Sequence, residues 1–305
     1  MRLVQSFLPA APGSSYFYLM LAKLLVEIYF FFHGKLHVPG AGWLIRRACP
    51  FVTELRAYPL RIPGVGTAVL DFRDQASFGM LNRFLGELGQ DAHLFRGIDQ
   101  FLEEGGVLWD VGANVGYFSL YFARRSTPLR ALHAFEPNPI ALKPLQSLFH
   151  QHPWVKIHPV GLGRTDEALE MSFYPGSTPY SSIARPLPSA EKVKIQVRNG
   201  DRYRKEHDLE LPDVIKIDVE GFEVEVLAGL PETLAAKRPV VFFEHGWLND
   251  EQIAMIRSLV PQRYELRFFL KNGCVTQDQA LRRGGDDAVL VPAEKFERLE
   301  DPRLP

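Results

Sequence analysis

Residues 107–120 read VLWDVGANVGYFSL. The first five are almost continuously apolar, as expected of a strand buried on both faces rather than one with a wet side. Gly112-Ala113-Asn114-Val115-Gly116 then predicts a tight turn, and the residues after it predict the first turn of a helix. A buried strand feeding a helix through a glycine turn returns to the same sheet by a right-handed crossover. That commits this part of the chain to a mostly parallel sheet with helices on both faces, and places ligands beyond the carboxyl ends of the strands.

The pattern continues. Strands are expected at Val107–Val111, Arg130–Phe135, Val155–Val160, Asp213–Val219 and Pro239–Glu244, with helices at Gly116–Arg124, Pro139–Phe149, Gly221–Ala235 and Asp250–Leu259. A β-rich interruption, Leu169–Tyr174 and Val193–Val197, follows the third of these strands. Two last strands, Tyr264–Leu270 and Ala288–Val291, are separated by the polar QDQALRRGGDD with no crossover helix, so they are expected to pair antiparallel at the sheet edge. Upstream, Val52–Arg61 and Thr67–Arg73 flank IPGVG and predict a hairpin. Helical patterning covers Phe78–Leu88 and Leu94–Glu103 until EGG stops it. The expected organisation is an apolar, basic helical segment over residues 1–50, an accessory hairpin with helices over 51–104, and the main α/β domain over 105–298.

The N-terminal run Ser14–Lys35 is strongly apolar but carries Lys23 and Glu27, four apart and able to pair on one helix face. Two charges near the middle argue against a membrane span, and no small-residue cleavage site follows for a secretory signal. Residues 1–50 nonetheless carry a net charge of +4, against −1 for all 305 residues. This leaves open a helix lying on an anionic membrane surface and a helix packed on the main domain or a partner subunit. The near-neutral total gives no reason to expect nucleic acid. The two cysteines, Cys49 and Cys274, stand far apart without metal-ligand spacing, which suits a reducing, cytoplasmic setting.

In the turn, Gly112 allows a tight reversal and close backbone approach, Asn114 is one of the few residues that visits left-handed conformations, and Gly116 lets the helix start close to the sheet. Glu136 ends the next strand twenty residues beyond Gly116, where an acid can accept from both ribose hydroxyls of an adenosine. Dinucleotide enzymes and methyl-transfer enzymes both build such sites. A pyrophosphate asks for bare amides at a helix start. The sulfonium and zwitterionic amino acid of S-adenosylmethionine (SAM) are better served by a carboxylate such as Asp110, so the turn leans toward SAM.

VLWDVGANVGYFSL, FEPNP, PDVIKIDVEGFEVEVLAGL and PVVFFEH, in that order over about Val107–His245, together resemble the FkbM family of SAM-dependent methyltransferases. The resemblance implies a class I methyltransferase fold, a Rossmann-like sheet that is mostly parallel with an antiparallel edge strand. It implies O-methylation of a hydroxyl, often on a sugar or a secondary metabolite. Asp110, Gly112, Ala113, Asn114 and Gly116 fall on its cofactor loop and Glu136 on its ribose acid. Asp218, Glu220 and Gly221 fall on its DVEG motif, and Glu244 on the acid after the next strand.

Methyl transfer to an alcohol needs alignment and a base for the hydroxyl proton. The strand ends carrying Asp218, Glu220, Glu244 and His245 are the candidates. His245 titrates near neutrality, and Asp218 follows an apolar strand whose burial would strengthen it as a base. Val224, Leu227, Ala228 and Pro231 are expected to form a buried stripe, leaving Glu223 and Glu225 solvated as acids of a first helical turn. These acids with His245 could also form an oxygen-rich magnesium or calcium site; no regular ligand spacing supports it, no metal is expected, and metal dependence stays open. His150, His152 and His158 read as helix-end and surface histidines rather than ligands. Met171–Pro186 has the Gly, Pro and Ser content of a mobile lid. The competing readings are a nicotinamide-dependent oxidoreductase, disfavoured by Asn114 and by the lack of a second catalytic domain, and a membrane-peripheral, non-catalytic binding module. The acceptor, its regiochemistry and the oligomeric state stay open.

Overall fold

The computed structural model describes residues 16–29, 31–32, 42–62, 66–74, 77–78, 92–123, 125, 127–174, 177–184, 188–269, 275–278, 280, 282 and 285–298. The chain divides into two compact units, residues 1–88 with 175–179, and residues 89–174 with 180–305.

In the first unit, helices α1 (Tyr16–Tyr29) and α2 (Gly42–Ala48) precede a short 3-10 turn, Thr53–Arg56. A two-stranded antiparallel pair follows, β1 (Tyr58–Ile62) with β2 (Gly66–Leu70). Its small core gathers Ala22, Val26, Tyr29, Ile45, Leu55 and Phe72. The helix expected at Phe78–Leu88 lies outside the described residues beyond Phe78, as does Cys274; Cys49 is buried and free.

The second unit opens with α3 (Ala92–Phe101). Its large sheet uses β3 (Val107–Val111), β4 (Ala131–Phe135), β5 (Val155–His158), β10 (Val214–Ile217), β11 (Val240–Glu244), β12 (Tyr264–Phe269), β13 (Val275–Thr276) and β14 (Asp287–Pro292). The order is β13-β12-β14-β11-β10-β3-β4-β5, and the pairs from β11 to β5 are all parallel. This is the class I methyltransferase architecture. As expected, β12 and β14 pair antiparallel and an antiparallel strand, β13 on β12, closes the edge; β14 lies between β11 and β12 and is antiparallel to both. Among the described residues no crossover helix lies between β12 and β14, in keeping with a return in the reverse direction. Helices α4 (Tyr117–Ala123) and α5 (Pro139–Phe149) follow β3 and β4, and α9 (Asp250–Leu259) follows β11. Asn249 starts α9 with a reciprocal capping box to Gln252.

Strand order reverses direction between β3 and β10: one half of the sheet runs outward through β4 and β5, the other through β11. A crevice opens at such a switch point, beyond the carboxyl ends of the strands. Asp110–Gly116 and Asp218–Gly221 flank it.

The β-rich interruption forms a second sheet of four strands, ordered β6 (Gly161–Gly163), β9 (Glu191–Asn199), β7 (Glu167–Tyr174) and β8 (Ser177–Ser182). The expected lid is therefore in large part β-structure. Ser182 Oγ donates to the Glu220 carbonyl at 2.9 Å, and Asn138 Nδ2 donates to Ser181 Oγ at 3.3 Å, tying this segment to both halves of the crevice. After α6 (Gly200–Glu206), the single helix expected over Gly221–Ala235 is two, α7 (Glu223–Ala228) and α8 (Pro231–Lys237). Gly229 packs so tightly on the Gly163 carbonyl that a Cβ would lie 1.9 Å from it, and Pro231 cannot donate into a continuing helix. The buried stripe accordingly consists of Val224, Val226 and Leu227, while Pro231 is exposed.

His158 is not a surface residue. It is buried beside His133, with His133 Nδ1 3.0 Å from His158 Nε2, His133 Nε2 2.9 Å from Glu210, and His158 Nδ1 3.2 Å from the Tyr203 hydroxyl. Burial first, and then neighbouring His133 and His207, push the His158 imidazole down to about 3 from 6.5. The unfolded chain therefore binds a proton at pH values where the folded chain does not. The contribution to stability is complete above about pH 6.5 and is lost progressively as pH falls toward the folded value. The midpoint of thermal unfolding should drop between about pH 7 and about pH 5, and His158→Gln should flatten that drop.

Candidate active site

The turn after β3 adopts the conformation its residues allow: Gly112 has φ +83°, Gly116 +87°, and Asn114 sits in the left-handed region at +50°. Gly112 is required for a reason beyond the turn itself. A Cβ there would stand 1.9 Å from the backbone oxygen of Asp218, so the two halves of the crevice meet backbone to backbone at this point. At Gly116 a Cβ would stand 2.7 Å from Leu145, so its role is the packing of α4 on α5 rather than of the helix on the sheet.

Glu136, at the end of β4, is buried and braces the turn. One carboxylate oxygen accepts from the Asn114 amide at 2.7 Å, the other from the Asn138 amide at 2.7 Å. Burial outweighs those two amides and pushes the carboxyl up to about 7. A carboxylate has about four acceptor sites, so two remain for ribose hydroxyls. Elsewhere in the turn, the amides of Gly112 and Ala113 both donate to the Phe135 carbonyl, and that of Gly116 to Ala113. With the Asn114 amide given to Glu136, four amides of the turn already have partners within the chain, which suits a pyrophosphate poorly, and an acid stands behind them. The buried Asn114 Oδ1 has no hydrogen-bond partner among the described residues. It is an acceptor suited to a ligand's hydroxyl or ammonium group. These residues fit SAM and do not fit a dinucleotide.

The residue that joins the two halves is Lys216, which sequence reasoning passed over. It lies within the apolar strand VIKIDV, in register with Asp110 of β3. Its ammonium is 3.2 Å from Asp110 and 3.2 Å from Asp218, above the ring of Phe118. Burial alone would strip its proton; Asp110, then Asp218, outweigh that and hold it firmly cationic. Asp110 is fully buried, and its second oxygen accepts from Ser119 Oγ at 2.6 Å. Its carboxylate is thus engaged by the chain and anchors the turn through Lys216. The signal that could have found Lys216 was a lone charge in a strand otherwise buried on both faces.

Beyond the ends of β10 and β11, one carboxylate oxygen from each of Asp218, Glu220 and Glu244 lies within 4.8 Å of the others. Asp218 is not buried as expected; its side chain is 45% exposed. Glu220 holds the left-handed backbone at φ +56°, with Gly221 at +105°. A non-glycine residue in that region marks a place where the fold over-determines the backbone. Glu244 is half-buried, and its Oε2, itself hidden from solvent, has no hydrogen-bond partner among the described residues. Burial, then Asp218, Glu220 and Glu223, hold its carboxyl far above the usual range. Glu223, expected in solvent, is buried: its Oε1 accepts from the Val219 amide at 3.2 Å and the Gly221 amide at 3.3 Å, bracing the strained turn. Burial pushes it up to about 7. Glu225 remains at the surface, paired with Arg164. His245 stands apart. It is 1% exposed, packed edge-on to Phe268 at 5.1 Å, and not in the carboxylate group.

Residues 110–273 match the Methyltransferase FkbM domain, over half the chain. The chain belongs to the FkbM methyltransferase family. The FkbM domain takes in both Asp110–Gly116 and Asp218–His245. Among relatives, the chain is 29% identical over 157 residues to a hexuronic acid methyltransferase, AglP, of Haloferax volcanii, covering 51% of this chain and 63% of that one. It is 30% identical over 169 residues to the 31-O-demethyl-FK506 methyltransferase FkbM of Streptomyces tacrolimicus, covering 43% and 62%. The chain thus spans less than two thirds of the length of these relatives. A solved FkbM methyltransferase of Methylobacillus flagellatus KT aligns at 17% identity and TM-score 0.42, over 82% of this chain and 60% of that one.

Lys216 sets a test of how this FkbM domain is held together. Lys216→Met leaves Asp110 buried and uncompensated, and should cost about 3–5 kcal/mol in denaturant unfolding. Adding Asp110→Leu to that variant should recover part of the loss.

Proposed function

We propose that this protein is a SAM-dependent O-methyltransferase whose acceptor is a hydroxyl of a sugar, glycolipid or secondary metabolite, with Asp110–Gly116 and Glu136 holding the cofactor. The observation that carries the reading is the meeting of Asp218, Glu220 and Glu244 at the switch point, across the Gly112–Asp218 contact from the SAM-fitting turn. The names of the relatives, one for a hexuronic acid and one for a 31-O-demethyl substrate, support an oxygen acceptor.

SAM, when bound, supplies an electrophilic methyl on a sulfonium, and its departure leaves a neutral thioether. The chain supplies the base and the alignment. Asp218, the accessible member of the acid group, takes the hydroxyl proton as the oxygen–carbon bond forms. Glu244, held protonated, donates a hydrogen bond that orients the acceptor. Glu220, set in a strained backbone, fixes the third side of the site. The concentration of acids favours a neutral hydroxylic acceptor over an anionic one. His245, buried and outside the group, has no proton-transfer role in this reading.

Thermal unfolding with SAM, S-adenosylhomocysteine and NAD(H) in parallel tests the cofactor. The SAM-type ligands should raise the midpoint and NAD(H) should not. Stabilisation by NAD(H) without either SAM-type ligand overturns the reading. Glu136→Gln should remove most of the SAM-induced rise. Once neutral glycosides or polyols have been screened for S-adenosylhomocysteine release, Asp218→Asn should slow turnover about a hundred- to ten-thousandfold while keeping the SAM-induced rise. Turnover should survive chelation. If chelation abolished it and magnesium restored it, the three carboxylates would be cation ligands.

A further inference from the structure

We propose that the first unit is a docking surface for an anionic lipid bilayer, with α1 and α2 lying in the plane of the headgroups. The inference is independent of the methyl-transfer reading.

Helix α1 carries apolar residues on two faces, one turned to the unit's core and one exposed. Ala22, Val26 and Tyr29 face the unit's own core. Phe17, Met20 and Leu24, and Phe31 beyond the end of α1, recur at helical spacing and are each more than half exposed. Helix α2 repeats the arrangement. Ile45 is buried, while the neighbouring Trp43 and Leu44 are exposed by 57% and 50%. Just after it, Phe51 is 79% exposed. A surface helix normally turns polar residues outward; one that turns aromatic and aliphatic residues both ways has a second apolar environment to satisfy.

Three observations identify that environment. The first is length. Fourteen residues make a helix of about 21 Å, short of the roughly 30 Å of a bilayer's hydrocarbon core. Among the described residues no helix is long and apolar enough to cross a membrane. The Lys23–Glu27 pair, 3.8 Å apart halfway along α1, likewise suits a helix lying at the boundary rather than through it.

The second is residue type. Trp43, Tyr16, Tyr18, Phe17 and Phe51 are the amphipathic and aromatic side chains that settle at headgroup depth. The third is charge. Residues 1–50 carry +4 while the remaining 255 carry −5, and α1 and α2 themselves carry Lys23, Arg46 and Arg47 against Glu27. Arg46 and Arg47 close α2, and Arg47 lies 4.7 Å from the ring of Trp43. An arginine stacked on an exposed tryptophan presents an apolar base and a cationic tip together, the complement of an anionic headgroup over acyl chain. A second copy of the chain fits less well, since two-fold pairing of this face would oppose cation to cation.

Flotation of the whole protein with vesicles decides it. The protein should float with vesicles of phosphatidylcholine containing about a third phosphatidylglycerol, far less with pure phosphatidylcholine, and less in high salt. Arg46→Gln and Arg47→Gln should each weaken partitioning about fivefold. Phe17→Gln combined with Leu24→Gln should abolish it while leaving the unfolding midpoint in place, since both positions face outward. Failure of the wild type to float with anionic vesicles overturns the proposal. So does flotation that the Phe17/Leu24 variant retains undiminished. A wild-type dimer that this variant converts to a monomer, without vesicle binding in either, would assign the face to a second copy.

Discussion

A single buried ammonium holds the two halves of this crevice in register. Lys216 stands between Asp110, which precedes the cofactor turn, and Asp218, which opens the acid motif, at 3.2 Å from each. Taking an ammonium and a carboxylate out of water is costly, and the cost is recovered only when geometry and further hydrogen bonds are good. Here Ser119 completes Asp110, and β3 and β10 pair so that Lys216 and Asp110 are opposite one another. The arrangement also decides what Asp110 does. A carboxylate paired with lysine and hidden from solvent anchors the turn, with Glu136 bracing it from the next strand.

The acid motif is built on the same economy of support. Glu220 occupies a left-handed backbone, and three groups brace it: Glu223 receives the amides on either side, Ser182 donates to its carbonyl, and Gly221 follows in a conformation open to glycine. Strain of this kind persists only where surroundings over-determine it. The second sheet, which supplies Ser182, is therefore part of the scaffold of the site. What looks like an excursion from the α/β alternation is a clamp on its most strained turn.

Much of the fold was legible from residue pattern. Near-continuous apolar strands separated by helical periodicity specified a parallel sheet, and DVGANVG marked where its crevice would lie. Asn114 was read as a left-handed position from its chemistry and has that conformation. What escaped reading depended on contacts distant in sequence. Glu223 was placed in solvent because acids belong in a first helical turn, and that rule does not reveal that the turn's own amides would draw it inward. His158 was placed at the surface because a lone histidine carries no burial signal until its partners His133 and Tyr203 are known. The break at Gly229 was invisible because its cause is the carbonyl of Gly163, on another sheet.

By itself the sequence determined the strand–turn–helix at Val107–Leu120, the alternation around it, and the residue types at the strand ends, because hydrophobic period and glycine conformational preference are local properties. Only the tertiary structure decided where those groups stand. Asp110 pairs with Lys216, Glu223 braces a turn and His245 packs against Phe268, while Asp218, Glu220 and Glu244 come together beyond the strand ends. The same holds at the N-terminus. Composition showed an apolar, basic segment, but only packing showed that one face of α1 meets its own core while Phe17, Met20 and Leu24 are exposed on another. Burial and pairing belong to groups brought together from distant parts of the chain, and they exist only once the sheet has set its strand order.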